Sequence, residues 1–247
     1  MKKFGIEELD GLLRDGFLDS STIVIVGSPS SRKELFSFSF VEEGVRSNES
    51  SLFFTLGRSI DRVTKGFKRR GINIEDIEVI DGYSWRLNES LDEERLNLKG
   101  PNLNEFLHLY NKSRCRLGDG GRTVIDSFNS IANFAEPNVI NNVLQLLMAE
   151  EKSKNNLTLL TVEKSLSSEK LSFVQSTAST LIETLFLEGK KFLKICWHDA
   201  GSFDSRWHNY EIERGVSESS PHRIRVDKPI GDSELKNRLD RRSIMDS

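Results

Sequence analysis

Cysteine is nearly absent from this chain of 247 residues: Cys115 and Cys196 stand far apart, with no C-x-x-C spacing. That excludes a disulfide-rich scaffold and a cysteine zinc site, and leaves two reduced thiols. Histidine is scarce as well. His108, His198, His208 and His222 show none of the spacings of a metal motif such as H-E-x-x-H. Charge of one sign is lacking: 35 Lys and Arg against 38 Asp and Glu leave a net charge of −3, which speaks against a protein that coats nucleic acid through its overall field. No apolar run approaches the ~18 residues of a membrane span, and the first residues carry no signal-peptide core. These absences predict a soluble, cytoplasmic protein without membrane contact.

What is present predicts a globular α/β protein. Phe dominates the aromatics, 15 against three Trp and three Tyr. Ile6, Leu9, Leu12 and Leu13 fall at helical spacing. The β-branched run TIVIV at 22–26 predicts a buried parallel strand. A Ser-rich loop follows, then a helix through Leu35, Phe36, Phe38, Phe40, Val41 and Val45, whose Phe residues read as core packing. Further strands are predicted at 51–56, 77–81, 122–126, 156–162, 181–187, 192–197 and 209–213, with helices over 60–70, 101–117 and 139–152. Residues 82–100 read as a polar insertion or loop, and 171–180 leaves helix and strand open. Alternating strands and helices predict a mostly parallel, twisted sheet with helices on both faces and an antiparallel edge late in the chain. From Ser217 the composition turns polar, with seven Lys/Arg and six Asp/Glu. Residues 1–216 are therefore assigned to one domain and 217–247 to a flexible tail, with a short amphipathic candidate at 230–239.

The loop after the first strand reads Gly27-Ser28-Pro29-Ser30-Ser31-Arg32-Lys33-Glu34. A phosphate-binding loop is G-x-x-x-x-G-K-[ST] between a strand and a helix. The first Gly and the Lys are in register; Arg32 stands at the second Gly and Glu34 at the Ser/Thr. Glycine there lets backbone N–H groups close on a phosphate, and the hydroxyl would ligate Mg²⁺. Arg32 brings a Cβ and a long side chain instead. Glu34 sets a negative charge where phosphate oxygens would lie, a repulsion of ~1 kcal/mol at ~4 Å in water and several-fold more in a closed site. Taken alone, the segment reads equally as a Ser-rich turn capping a helix. Asp126 ends the strand at 122–126 before Ser127. On its own it reads as a cap on local backbone N–H groups.

Taken in order, GIEELDGLL, TIVIVGSPSSRK, SLFFTL and RTVIDSFNSI resemble the RecA-superfamily ATPases of the KaiC/RadA type, over about residues 4–216. Gly5-Ile6, Leu9-Asp10 and Leu12-Leu13 match the family's opening, and 122–127 resembles its Walker B strand, which places Asp126 at the Mg²⁺ shell. The resemblance implies a RecA-like core. Departures accompany it. Leu56-Gly57-Arg58-Ser59 stands where the family carries acidic residues that polarise the attacking water. Trp197 and Asp199 stand where the family's Lys and Arg reach a neighbouring subunit's γ-phosphate. Phosphoryl transfer needs a phosphate cradle, Mg²⁺, a positioned water and charge compensation, and a finger-type cation alone is worth roughly 10³–10⁵ in rate. No catalytic residue is therefore assigned.

The resemblance and its departures imply a pseudo-ATPase, a regulatory or scaffold subunit that assembles with itself or with an active RecA-like relative. Gly27, Ser28, Ser30, Ser31, Arg32, Lys33, Glu34 and Asp126 are then a vestigial nucleotide site with no required cofactor and no metal. A second reading keeps ATP and Mg²⁺ as ligands of Lys33 and Asp126, in an ATP-binding protein or weak ATPase. A third is a DNA-repair accessory recombinase paralogue that binds through Lys65, Lys68, Arg69, Arg70 and the tail. Those cations also suit the C-terminus of a helix that ends before Gly71, and nucleic acid stands behind protein as the expected partner. His198, Asp199 and His208, near Trp197 and Trp207, read as satisfied edge residues rather than a metal or base site.

Overall fold

The computed structural model describes residues 1–87, 96–213 and 221–231. In chain order the elements are α1 (Glu7–Leu12), β1 (Thr22–Gly27), α2 (Glu34–Arg46), β2 (Ser51–Thr55), α3 (Ile60–Lys68), β3 (Glu78–Asp81), β4 (Leu96–Asn97), α4 (Leu103–Leu117), β5 (Arg122–Asp126), α5 (Asn129–Ala132), α6 (Pro137–Ser153), β6 (Leu157–Glu163), α7 (Ser168–Ser176), β7 (Thr180–Leu187), β8 (Lys190–His198), β9 (His208–Glu213) and β10 (Arg223–Pro229). The strands form one sheet in the order β10-β9-β8-β7-β1-β6-β5-β2-β3-β4. From β7 to β4 all neighbours are parallel; β8, β9 and β10 add an antiparallel edge. The core is thus the mostly parallel sheet with a late antiparallel edge that the alternation of elements predicts.

Side-chain alternation distributes the core. Successive strand residues point to opposite faces. Ile23, Ile25, Phe53 and Val124 enter one apolar cluster, with α1, α2 and α3 over it. Val24, Val26, Leu52, Phe54 and Ile125 enter the other, under α4, α6 and α7. Both faces are covered, which is why β1, β2 and β5 are buried along their whole length. The first cluster is rich in phenylalanine: Phe4 packs on Phe17, Phe36 and Phe40, and Phe38 on Phe53 and Phe67. At Gly66 a Cβ would come within 2.5 Å of the Phe38 ring, so this glycine lets α3 lie directly against α2.

Several polar side chains buried on either side of the sheet are paired. Glu151 of α6 accepts from the Tyr110 and Thr123 hydroxyls at 2.7 and 2.6 Å, with Arg114 Nε at 3.4 Å. Arg122 donates to Glu49 and to the Phe40 carbonyl. A buried charge needs such partners, since removing one strands the other.

Three expectations change. The open segment 171–180 becomes the end of α7 and the start of β7. Within 82–100, a 3-10 turn (Ser84–Leu87) and the short β4 replace a plain loop, while 88–95 lies outside the described residues. The sheet also extends past residue 216: Arg223–Pro229, assigned to a flexible tail, pairs antiparallel with β9. Ile224 and Val226 alternate with Arg223 and Arg225 and close the first cluster, so burial of two side chains holds a strand that its charges argue against. Most of the 230–239 candidate lies outside the described residues.

Candidate functional site

The carboxyl ends of parallel strands, near a change in strand order, are where α/β sheets bind ligands. Here β1 is flanked by β6 and β7, and the loop from β1 opens at that end. At Gly27 a Cβ would fall 1.8 Å from Thr184 Oγ1, so close approach to β7 requires this glycine irrespective of any phosphate. Pro29–Ser31 forms a 3-10 turn, and Arg32 follows with φ 57° and ψ 42°. A non-glycine residue thus adopts the left-handed conformation at the loop's second glycine position. Ser31 is buried; its hydroxyl donates to the Ser28 carbonyl at 2.7 Å, and its own carbonyl accepts from Tyr210 Oη at 2.5 Å. Ser28 is half-buried and Ser30 exposed.

Lys33 turns its ammonium back onto the loop, donating to the Gly27 and Ser28 carbonyls at 3.1 and 2.8 Å. Burial holds that ammonium below its ordinary range. The carboxylates of Glu163, Asp126 and Glu34 oppose the shift, and Arg58 adds to it.

Arg58 organises the rest of the site. Pairing of β2 with β5 sets Thr55 beside Asp126. The Asp126 carbonyl accepts from the N–H groups of Leu56 and Gly57 at 2.7 and 3.2 Å, and the Thr55 hydroxyl donates to the Arg58 carbonyl at 2.5 Å. Fixed in this way, the Arg58 guanidinium lies 3.3 Å from Asp126 Oδ2 and 3.9 Å from Glu34 Oε2. Asp126 is buried, and its other oxygen accepts from Thr161 at 2.7 Å. It does not cap local backbone N–H groups. Glu34 also pairs with Arg32 at 2.5 Å.

A divalent cation does not fit this arrangement. Of the two positions that would serve it, Asp126 directs its available oxygen at Arg58, and Glu34 lies between two guanidinium groups. Among the described residues, no group of three or more His, Cys, Asp and Glu is placed to hold a metal. The loop turns through left-handed backbone at Arg32, and the cation beside Asp126 and Glu34 is Arg58.

The other singled-out residues lie elsewhere. β8 carries Trp197 beside Leu181, at the opposite end of the sheet from the loop. Trp197 donates to the Ala178 carbonyl and the Asp199 N–H to the Ser179 carbonyl. His198 bridges Thr180 Oγ1 and the Gly16 carbonyl; His208 Nδ1 lies 3.0 Å from the Asp227 carbonyl. Both serve strand ends. Cys115 and Cys196 are free thiols. The basic stretch Lys65 to Arg70 is not one surface, because Arg70 is buried against Glu42 at 2.6 Å. Sequence reasoning missed Tyr210 and the contacts of Arg58. Neither has a local signal, since each reaches the site from a distant strand or across the sheet.

The model of the family described as the KaiC ATPase matches residues 2–178. The fold is similar to that of a KaiC-like protein of Pyrococcus horikoshii OT3, with a TM-score of 0.69 and 21% identity over 92% of this chain and 98% of that one. UPF0273 proteins of Thermotoga maritima and Methanopyrus kandleri are 24% and 25% identical over 135 and 103 residues, covering 52% and 39% of this chain. These matches span 56% and 41% of the relatives' own lengths, so the chain aligns with about half of each.

Proposed function

The chain belongs to the KaiC ATPase family, and we propose that within it this protein is a catalytically silent member that works through protein contact. The observation that carries the reading is Arg58, whose guanidinium sits between Asp126 and Glu34. Phosphoryl transfer asks for a metal on one side of the phosphate and a water-orienting group on the other. In this site a side-chain cation engages the carboxylates, and Leu56-Gly57-Arg58-Ser59, directly after β2, holds no carboxylate to orient water.

Apolar exposure supports the second half of the reading. Phe134, Val139 and Leu146 are 62%, 45% and 62% exposed, and the last two lie seven residues apart on one face of α6. The partner is a second copy or an active relative, as a regulatory or scaffold subunit would require.

A thermal-shift titration with ATP·Mg²⁺ and with ADP, beside Lys33→Ala, tests the silent site. A ligand at 100 times its Kd stabilises by ~2.7 kcal/mol, so binding of any consequence is visible. No shift at millimolar nucleotide is expected. A rise that Lys33→Ala abolishes would instead establish an ATP-binding protein, a reading that the retained left-handed turn at Arg32 favours.

A further inference from the structure

Beside the loop, between the first turn of α2 and the length of α3, lies a cavity of about 440 Å³. That size falls within the roughly 300–1,000 Å³ of small-ligand sites. Six cations line it, Arg32, Arg58, Arg62, Lys65, Arg69 and Arg70, against one carboxylate, Glu34, among the described residues. The whole chain is net acidic at −3, so this concentration is local.

The six divide into two kinds. Arg32, Arg58 and Arg70 have protein partners in Glu34, Asp126 and Glu42. The side chains of Arg62, Lys65 and Arg69 are exposed and make no ion pair or hydrogen bond with any described residue. Their spacing of three and four sets Arg62 and Lys65 on one face of α3, with the C-cap residue Arg69 in line with them, turned to the cavity. Helix stability accounts for Lys65 and Arg69, which suit the C-terminal end of α3, but not for Arg62. Like charges one turn apart destabilise a helix. Arg62 stands in the first turn after the N-cap Ser59, where the helix dipole opposes a cation. The close packing of α3 on α2 at Gly66 makes the stripe one wall of a concavity, and a concave wall of one charge sign focuses its field on an anion.

We propose that this cavity is a binding site for a compact polyanion of clustered phosphates, held by Arg62, Lys65 and Arg69 together with Arg32 and Arg58. The side chains supply the neutralising charge, so no divalent cation is needed. Guanidinium groups suit this role because each offers paired N–H donors to two phosphate oxygens. The site adjoins the loop and shares Arg32 with it but does not use Lys33, and the proposal does not rest on the silent-site reading.

Isothermal titration of the full chain with inorganic tripolyphosphate in EDTA tests it. Saturable binding is expected, weakened about tenfold or more in the Arg62→Ala/Arg69→Ala variant, which loses two charge-assisted contacts. Both substitutions are on exposed side chains, and an unchanged melting curve would show that the fold is intact. Lys33→Ala should leave the affinity within about twofold, since the Lys33 ammonium is turned to the loop. Added Mg²⁺ should weaken binding by competing for the phosphates. Equal binding of ATP in EDTA would show that a terminal phosphate chain suffices; failure of ATP beside success of tripolyphosphate would identify the free polyphosphate as ligand. Both outcomes uphold the site. Absence of saturable heat overturns it. So does binding that Lys33→Ala abolishes but the double variant keeps, which would place the phosphates in the loop. Binding of a single-stranded oligonucleotide without tripolyphosphate binding overturns it in favour of a nucleic-acid surface. A Mg²⁺-dependent ATP response bears on the silent-site reading alone.

Discussion

Arg32 occupies left-handed backbone space, which an L-residue with a Cβ enters at ~1–2 kcal/mol. Glycine relieves that strain but loses more chain entropy on folding, ~0.5–1 kcal/mol, and the Arg32–Glu34 pair is exposed enough to contribute little. Arg32→Gly should therefore be neutral or stabilising by up to ~1 kcal/mol in urea denaturation. Arg32→Val, with a branched Cβ in the same space, should lose about 1–2 kcal/mol. A clear loss in Arg32→Gly would mean that the side chain, not the turn, holds the loop. Arg58 makes a sharper prediction. Arg58→Ala leaves Asp126 buried beside Glu34 without its cation. Stability should fall by about 1–3 kcal/mol, less than for a fully buried pair because Arg58 is partly exposed. Added Mg²⁺ should raise the melting temperature of Arg58→Ala more than that of the wild type. An equal response in both would refute the assignment of Arg58 to the metal's place.

At the scale of elements, the end of β8 is locked to the N-terminal segment by His198. Its ring lies 2.8 Å from Thr180 Oγ1 and 3.1 Å from the Gly16 carbonyl, with Phe17 and Phe203 edge-on. The carbonyl accepts, so Nε2 carries the hydrogen and Nδ1 takes the Thr180 hydroxyl; these partners define a neutral tautomer. Burial lowers the pKa of the ring, while the Gly16 carbonyl and the carboxylates of Asp199 and Asp15 oppose the shift. A base whose folded pKa is depressed stabilises the fold fully above its unfolded value and loses that contribution as pH falls towards the folded one. Melting temperature should accordingly drop as pH falls from about 7 to about 5. The drop should be smaller in His198→Gln, and equal slopes in the two proteins would exclude this residue as the cause. The strand that sequence composition assigned to a tail acts at the same scale. Ile224 and Val226 bring β10 into the first cluster, and Arg225 sits among Glu211, Glu213 and Asp227. Its apolar alternation was legible in the order Arg-Ile-Arg-Val, but two buried residues are too short a period to outweigh the surrounding charge.

For the whole molecule, the question is what meets the exposed apolar stripe of α6. Phe134→Glu with Leu146→Glu removes two largely exposed side chains and should change stability by no more than about 0.5 kcal/mol. Light scattering should then show a smaller particle than the wild type, or loss of complex with an active relative. A wild type that stays monomeric at tens of micromolar, and binds no relative, would end the protein-contact reading. No helix among the described residues is long and apolar enough to cross a membrane, so this stripe is not one face of a span.

The sequence by itself determined the central strands β1, β2, β5 and β6 and the helices α2, α4 and α6, because periods of two and of 3.6 residues are local properties. It also fixed the position of the loop after β1, the strand that ends at Asp126, and the family to which their order belongs. Only the tertiary structure decided what those residues touch. Arg58 reads in sequence as a missing acid; in the fold its guanidinium lies 3.3 Å from Asp126, because β2 and β5 are neighbours through non-local pairing. Tyr210 reaches the loop from β9, 179 residues along the chain from Ser31. The basic run of α3 divides into a buried partner of Glu42 and a stripe facing a cavity only once α3 packs on α2. Periodicity tells which face of an element is apolar, but the partner of a charge depends on strand order and on which elements share a face, and neither is written locally.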